Sequence, residues 1–478
     1  MNLTKKTLTE LSELFRSGEV SSREITDAFI TEIEEKDSKI NAFVTPTFDI
    51  AREMADASDA RKKNNELLSP LDGMPIALKD VVCTTECRTT ACSNILKNFQ
   101  SPYDATVWKK LKSAGAVLLG KTNTDEFTMG ASTQTSAFGV TRNPHDLERV
   151  AGGSSGGSAA AIAANFCAGA IGTETNGSIR HPSHFCGVTG LKVSYGRVSR
   201  WGTMPMASSL DVVGPIAKTA EDCALMLQEI AGHDEKDSTT PDVEVPNYIA
   251  EIQHSIRDMK IGIPRNFFEK GIDENMAQVI AAAEAQLRDM GAKIIDIELP
   301  HAEHAVAAYY IIAPGEISSN QARYDGIRFG ECSKEKDDLA KIYTETRSEG
   351  FGDEVKRRIL IGTFVLSSGY SDQYYRQAQR VRTLIKQDFD NAWENVDAIL
   401  SPVSPTPAFK VGENLDDPLK MYLEDMFLAP SCLAGQCGIS FPGGQTDSGL
   451  PIGVQIICPP MKEACALRIA HQMQKHQT

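Results

Sequence analysis

The sequence has no apolar run approaching the roughly 18 residues of a membrane-spanning helix. Its opening residues, MNLTKKTLTELSELF, hold neither an apolar signal core nor a small-residue cleavage site. A soluble, cytoplasmic chain with no membrane partner is therefore expected. Positive charge is in deficit: 49 basic against 64 acidic residues leave a net charge of -15, which opposes unaided binding to phosphate backbones or anionic lipid. A disulfide framework is absent too. The 11 cysteines are odd in number and scattered through apolar stretches, as at Cys167, Cys186 and Cys458, a pattern that fits buried, reduced thiols. There is no tandem repeat, and no Gly-Lys-Ser/Thr follows the glycine-rich segments, so a phosphate-cradling loop is excluded. Neither Cys83, Cys87 and Cys92 nor His301 with His304 has convincing metal-ligand spacing, and no metal site is expected.

What remains is a 478-residue chain with 41% apolar and 24% charged residues, enough for a sizeable core. Leu8, Leu11, Leu14 and Phe15 fall on one helical face. Ser21 with Glu24 forms a capping box opening a segment in which Ile25, Ala28, Phe29 and Ile33 repeat at helical spacing. Residues 1–65 thus read as a helical segment packed on the core. From Met74 the texture alternates: MPIAL and AVLLG as strands with DATVWKKLKSAG as a helix between them, then a strand near AGAIGT and a helix in AEDCALMLQEIAG. This argues an α/β fold. A charged, proline-bearing stretch, DEKDSTTPDVEVPNY, opens an insertion-like region around 235–395. It contains KIGIP and KIIDIEL as strands and a long helical stretch from Asp353 to about Trp393. AILSP, GISFPGG and GVQIICP return to strands, so one large sheet carrying an insertion is expected rather than independent domains.

Chemistry concentrates between Val150 and Pro182, where glycines surround Ser154, Ser155 and Ser178 without forming a flexible linker. A serine hydroxyl needs a base to act as nucleophile. His181 and His184 are close in sequence only, which is not the relation a triad requires. Gly153-x-Ser155-x-Gly157 formally matches a nucleophile elbow, but no apolar strand precedes it. Lys79, ending the apolar stretch PIALK, is the remaining base, since burial there would favour its neutral form.

Lys79, GGSSGGS around Ser154 and TNGSIRHP around Ser178, in this order and spacing, resemble the amidase signature family across nearly the whole chain. The resemblance implies a single large domain, residues 66–478, with a mixed β-sheet covered by helices on both faces. It implies a Ser/cis-Ser/Lys triad: Ser178 attacks the amide carbon, Ser154, on a cis peptide, relays the proton, and neutral Lys79 receives it. Ser155 is then a structural neighbour. Backbone N–H groups of Thr175, Asn176, Gly177 and Ser178 are the candidate oxyanion hole. The second cluster departs from the family's usual G-x-D-x-G-G-S and its following glutamine, with Glu174, Asn176 and His181 instead. Asparagine tolerates left-handed backbone angles, so the donor geometry is expected to survive with a side chain beside the hole.

AYYIIAPGEISSNQARYDGIRFG, EVKRRILIGTFVLSSGYSDQYYRQAQRVRTLI and DPLKMYLEDMF resemble, within that family, the glutamine-hydrolysing A subunits of tRNA-dependent amidotransferases. This resemblance implies glutamine as substrate and ammonia passed to a B subunit, with a C subunit in the complex. The mischarged tRNA would be held mainly by the B subunit, where ATP and Mg are expected; no cofactor is expected in this chain. By motif position, Arg358 would bind the substrate carboxylate, Asp425 its ammonium, and Tyr309 would lie near its side chain. The alternatives are a free-standing amidase and a catalytically silent scaffold subunit.

Overall fold

The computed structural model describes residues 1–267, 271–334, 338–414 and 417–477. The strands are β1 (Phe43–Pro46), β2 (Pro75–Lys79), β3 (Val117–Thr122), β4 (Arg142–Asn143), β5 (Asp146–Val150), β6 (Gly169–Glu174), β7 (Thr189–Lys192), β8 (Val212–Ala217), β9 (Lys260–Pro264), β10 (Lys293–Ile297), β11 (Ala398–Pro402), β12 (Cys437–Gln445) and β13 (Pro451–Cys458). All but the β4–β5 hairpin join one 11-stranded sheet in the order β1-β3-β2-β6-β8-β7-β12-β13-β11-β9-β10. β2 runs parallel to β3 and β6, β9 parallel to β10 and β11, and the remaining pairs are antiparallel. The mixed sheet flanked by helices is the architecture expected. β2, β3 and β6 are buried along their whole length, which is why their sequences read as continuous runs rather than as alternation.

The N-terminal helices Leu8–Ser17 and Ser22–Ile40 each open on a capping box, from Thr7 with Glu10 and from Ser21 with Glu24. Leu8, Leu11 and Phe15 of the first and Ile25, Phe29 and Ile33 of the second are buried in the main core, whereas Leu14 and Ala28 are only half-buried. The helical texture of this segment concealed β1, which pairs with β3 at one edge of the sheet. Helices Ala220–Ile230 and Glu463–Gln477 pack on each other and on central strands. A second buried cluster is built from helices Ala305–Asn320, Asp353–Leu366 and Tyr375–Trp393.

The helical stretch expected from Asp353 to about Trp393 consists of two helices. The first ends at Leu366 and the chain turns through Gly369, whose φ is +88°; polar residues and a left-handed glycine end the helical run. β7 and β8 were also hidden in the sequence, because TGLK and VVGPIA carry glycine and proline. Pro215 lies just past the residues at which β7 pairs with β8, Ala217 and Ile216, where a proline without an N–H costs the ladder least.

Candidate active site

Three parallel strands end together. Lys79 closes β2, Thr122 closes β3 ahead of Asp125, and Glu174 closes β6 ahead of the turn Thr175–Ser178. The carboxyl ends of parallel strands open into a crevice in α/β sheets, and the sequence-predicted reactive residues gather there.

Lys79 is fully buried. Its Nζ donates to Ser154 Oγ at 2.8 Å, to Ser155 Oγ at 2.7 Å and to the Thr173 carbonyl at 3.2 Å. Burial lowers its pKa to about 7, against the opposing pull of Asp125 and other buried acids, so a neutral amine is accessible near neutral pH. The Gly153–Ser154 peptide is cis. Gly153 has no room for a side chain: a Cβ there would lie 2.3 Å from Asp125 Oδ2 and 2.5 Å from the Ser132 nitrogen. Asp125 in turn accepts the Ser132, Thr133 and Thr135 N–H groups and the Thr135 hydroxyl, pinning the 125–135 loop beneath the serine. Ser155 bonds both to Lys79 and to the Thr173 backbone, tying the lysine to β6.

The helix after Ser155, Gly156–Ala163, is made of small residues apart from Ile162 and is buried except at its final Ala163. A Cβ on Gly157 would lie 2.5 Å from both backbone polar atoms of Asn123; the glycines are there to seat a helix against backbone. β5 leads into this cluster, but it belongs to the separate hairpin and carries Asp146, Glu148 and Arg149, so an elbow on the main sheet is not formed.

Ser178 lies in the turn after β6, 5% exposed. Its carbonyl accepts from Ser155 N at 3.1 Å, locking the two serine segments together, while its hydroxyl has no protein hydrogen-bond partner among the described residues. Glu174 anchors the turn: its carboxylate accepts the N–H groups of Gly177, Ile179 and Arg180 and pairs with the Arg180 guanidinium at 2.6 Å. Burial would raise this carboxyl, but Arg180 and the backbone donors outweigh it and hold the pKa at about 2. Arg180 is completed by Ser431 and Gln455.

Of the four expected oxyanion donors, Gly177 N–H is therefore already committed to Glu174, leaving those of Thr175, Asn176 and Ser178 without a protein partner among the described residues. The left-handed angle is at Gly177, with φ +80°, and not at Asn176, which corrects the expectation that asparagine is tolerated there for its backbone. His181 is buried, packed on Phe185, and pushed by burial to a pKa of about 3. His184 accepts Gly453 N–H through Nδ1, and burial takes its pKa down to about 4. Both are neutral, and neither is hydrogen-bonded to Ser178.

Arg358 and Asp425 approach the same turn. Asp425 is buried, accepts the Tyr310 hydroxyl at 3.1 Å, and its Oδ1 lies 3.1 Å from where a Gly177 Cβ would be. Burial raises its carboxyl to about 8, with Tyr310 and Arg358 opposing. Arg358 bonds Glu354 at 2.8 Å and lies over the stacked rings of Tyr310 and Tyr422. Burial disfavours its charge, but Glu354 and the surrounding phenols outweigh it. A cavity of about 430 Å³ is lined by Arg358, Glu354, Tyr422, Glu126 and Ser132, and the Ala131–Ser132 backbone on its wall also packs against Gly153. Tyr309 is buried beside Tyr310, but the ring in contact with Arg358 and Asp425 is that of Tyr310. Tyr310, Tyr422, Glu354 and Asp125 were not legible as site residues in the sequence. DEFTMG and the paired tyrosines were visible there, but nothing in their spacing tied them to Lys79.

The chain belongs to the amidase family, whose model, described as Amidase, matches residues 24–467. The A subunit of glutamyl-tRNA(Gln) amidotransferase from Geobacter metallireducens is 51% identical over 475 residues, covering 99% of this chain and 98% of that protein. The crystal structure of the corresponding A subunit from Thermotoga maritima superposes with a TM-score of 0.81 at 39% identity, covering 99% of this chain and 95% of the other. The native peptide amidase from Stenotrophomonas maltophilia gives 0.84 at 29% identity, covering 99% and 97%.

Proposed function

We infer that this chain hydrolyses glutamine and supplies the ammonia to a partner B subunit, which amidates glutamate or aspartate carried on tRNA in a complex completed by a C subunit. The partner is where ATP and Mg act, and the setting is cytoplasmic. Among the described residues no helix is long and apolar enough to cross a membrane. The observation that carries the reading is the buried Lys79–Ser154 hydrogen bond next to Ser178, with a guanidinium and a carboxylate held nearby. Free glutamine is a zwitterion, and such a pair complements its carboxylate and ammonium.

In this reading the Ser178 hydroxyl attacks the side-chain carbonyl of glutamine, its proton passing through Ser154 to neutral Lys79. The backbone N–H groups of Thr175, Asn176 and Ser178 receive the charge on oxygen. Ammonia leaves with the returned proton, and water opens the acyl-enzyme by the same route. Arg358 takes the α-carboxylate and Asp425 the α-ammonium, with Tyr309 and Tyr310 walling the site. The test is release of glutamate from glutamine by the chain alone and with its partner subunits and charged tRNA. Ser178→Ala is expected to abolish release; more than trace turnover in that variant rejects the assignment. A free-standing amidase acting on another small amide is the second reading, favoured only by the likeness to peptide amidase, and it gives no reason for the Arg358 and Asp425 pair.

A further inference from the structure

The turn that carries Ser178 also holds a side chain for which the steps above have no use. Asn176 is 4% exposed, and neither its Nδ2 nor its Oδ1 has a hydrogen-bond partner among the described residues, although both atoms are shut off from solvent. A buried carboxamide without partners is destabilising, and such groups persist where a ligand supplies what the protein does not. A backbone reason for asparagine is excluded, because the left-handed residue of the turn is Gly177. A role in holding the turn is excluded as well: that work is done by Glu174, and the hydroxyl of the neighbouring Thr175 is spent on Asp211 at 2.6 Å. Asn176 therefore brings an uncommitted donor and an uncommitted acceptor to within two residues of Ser178, in a turn that already offers free N–H groups.

We propose that the Asn176 carboxamide is a further catalytic group, its Nδ2 donating to the carbonyl oxygen of the scissile amide as negative charge develops there. This rests on the reading of Ser178 as nucleophile. When the Ser178 Oγ–carbon bond forms, the carbonyl π pair moves onto oxygen and the serine proton leaves through Ser154 to Lys79. Asn176 loses no proton; its hydrogen bond shortens as the charge grows and relaxes when the carbon–nitrogen bond breaks and ammonia departs. A side-chain donor here supplements the backbone ones and compensates for Gly177, whose N–H is held by Glu174. An interaction of this kind is made in the transition state more than in the ground state, so it belongs to the rate and not to substrate affinity.

The test is single-turnover release of ammonia from glutamine by the full chain, comparing the parent with Asn176→Gly, Asn176→Ala and Ser178→Ala. Both Asn176 variants are expected to slow acylation by about 10-fold or more while leaving KM for glutamine little changed. Alanine is included because glycine also loosens the turn; should the glycine variant misfold, seen as a lowered Tm, the alanine variant decides. Acylation by a folded Asn176 variant at the parent rate overturns the proposal, and so does a loss confined to KM. Undiminished acylation in Ser178→Ala rejects the nucleophile itself and the proposal with it. Loss in Ser178→Ala beside an unchanged Asn176→Ala rejects the Asn176 role alone.

Discussion

At the scale of single residues, the site is governed by what burial does to charge. In the proposed mechanism Lys79 takes the serine proton only as a neutral amine, and burial brings it to about 7. In the same proposed mechanism Asp425 holds the substrate ammonium only when ionised, whereas burial leaves its carboxyl at about 8. Both requirements are met by raising the pH. For glutamine, kcat/KM is expected to rise through two steps, near pH 7 and near pH 8, and to fall again toward the alkaline end as the substrate's own α-ammonium loses its proton. A small amide lacking the α-ammonium should show only the lower step. Initial rates for both substrates across pH 5.5 to 9.5, about the span in which these groups titrate, check this. A common single-step profile would remove Asp425 from substrate binding. Lys79 and Ser154, which the structure joins by a hydrogen bond, were brought together in the sequence by the resemblance, because a strand-end lysine or a glycine-set serine alone is a weak local feature. Tyr309 could not be separated there from Tyr310, because neighbouring positions on a helix differ only in the face they turn to the packing partner.

At the scale of elements, the position of Arg358 depends on how closely two helices approach. Gly362 faces Pro314, and a Cβ there would lie 1.8 Å from the Pro314 carbonyl oxygen, so helices Ala305–Asn320 and Asp353–Leu366 touch through bare backbone. Arg358 lies one turn before Gly362, against Tyr310 on the other helix. Gly362→Ala is expected to force the helices apart, separating Arg358 from Tyr310 and raising KM for glutamine by about 10-fold, roughly the worth of one weakened charged contact. The Lys79–Ser154 contact involves neither of these helices, so kcat on a simple amide should be nearly unchanged; equal damage to both substrates would rule this coupling out. Element types were legible wherever a run was long and uniformly buried, as in β2 and β3. They were obscured where glycine or proline served a packing purpose, as at Pro215 in β8, or where a polar turn such as that through Gly369 interrupts helix formers.

At the scale of the whole molecule, the α/β class followed from the alternation of strands and helices, but the order of strands in the sheet did not, because pairing between distant segments leaves no periodic mark on either. Lys79, Ser178 and Asp425 meet only through that order. It has a consequence for how the protein is made. β12 and β13, nearly the last elements in the chain, lie between β7 and β11, so on the ribosome the sheet exists first as two pieces with a gap between them. Until residues 437–458 emerge, β7 and β11 each present an unpaired edge, a surface that recruits strands from other chains, and Arg180 lacks its Gln455 partner. A chain ending at residue 436 should accordingly aggregate and remain protease-sensitive, whereas stalled chains given a C-terminal extension that carries β13 out of the exit tunnel should become resistant in a single step. Resistance already complete before β12 is synthesised would show that the two pieces are stable alone. If they are not, the turn carrying Ser178 is completed only once β12 and β13 are in place, and chaperone demand falls on the interval in which the middle of the sheet is the part still missing.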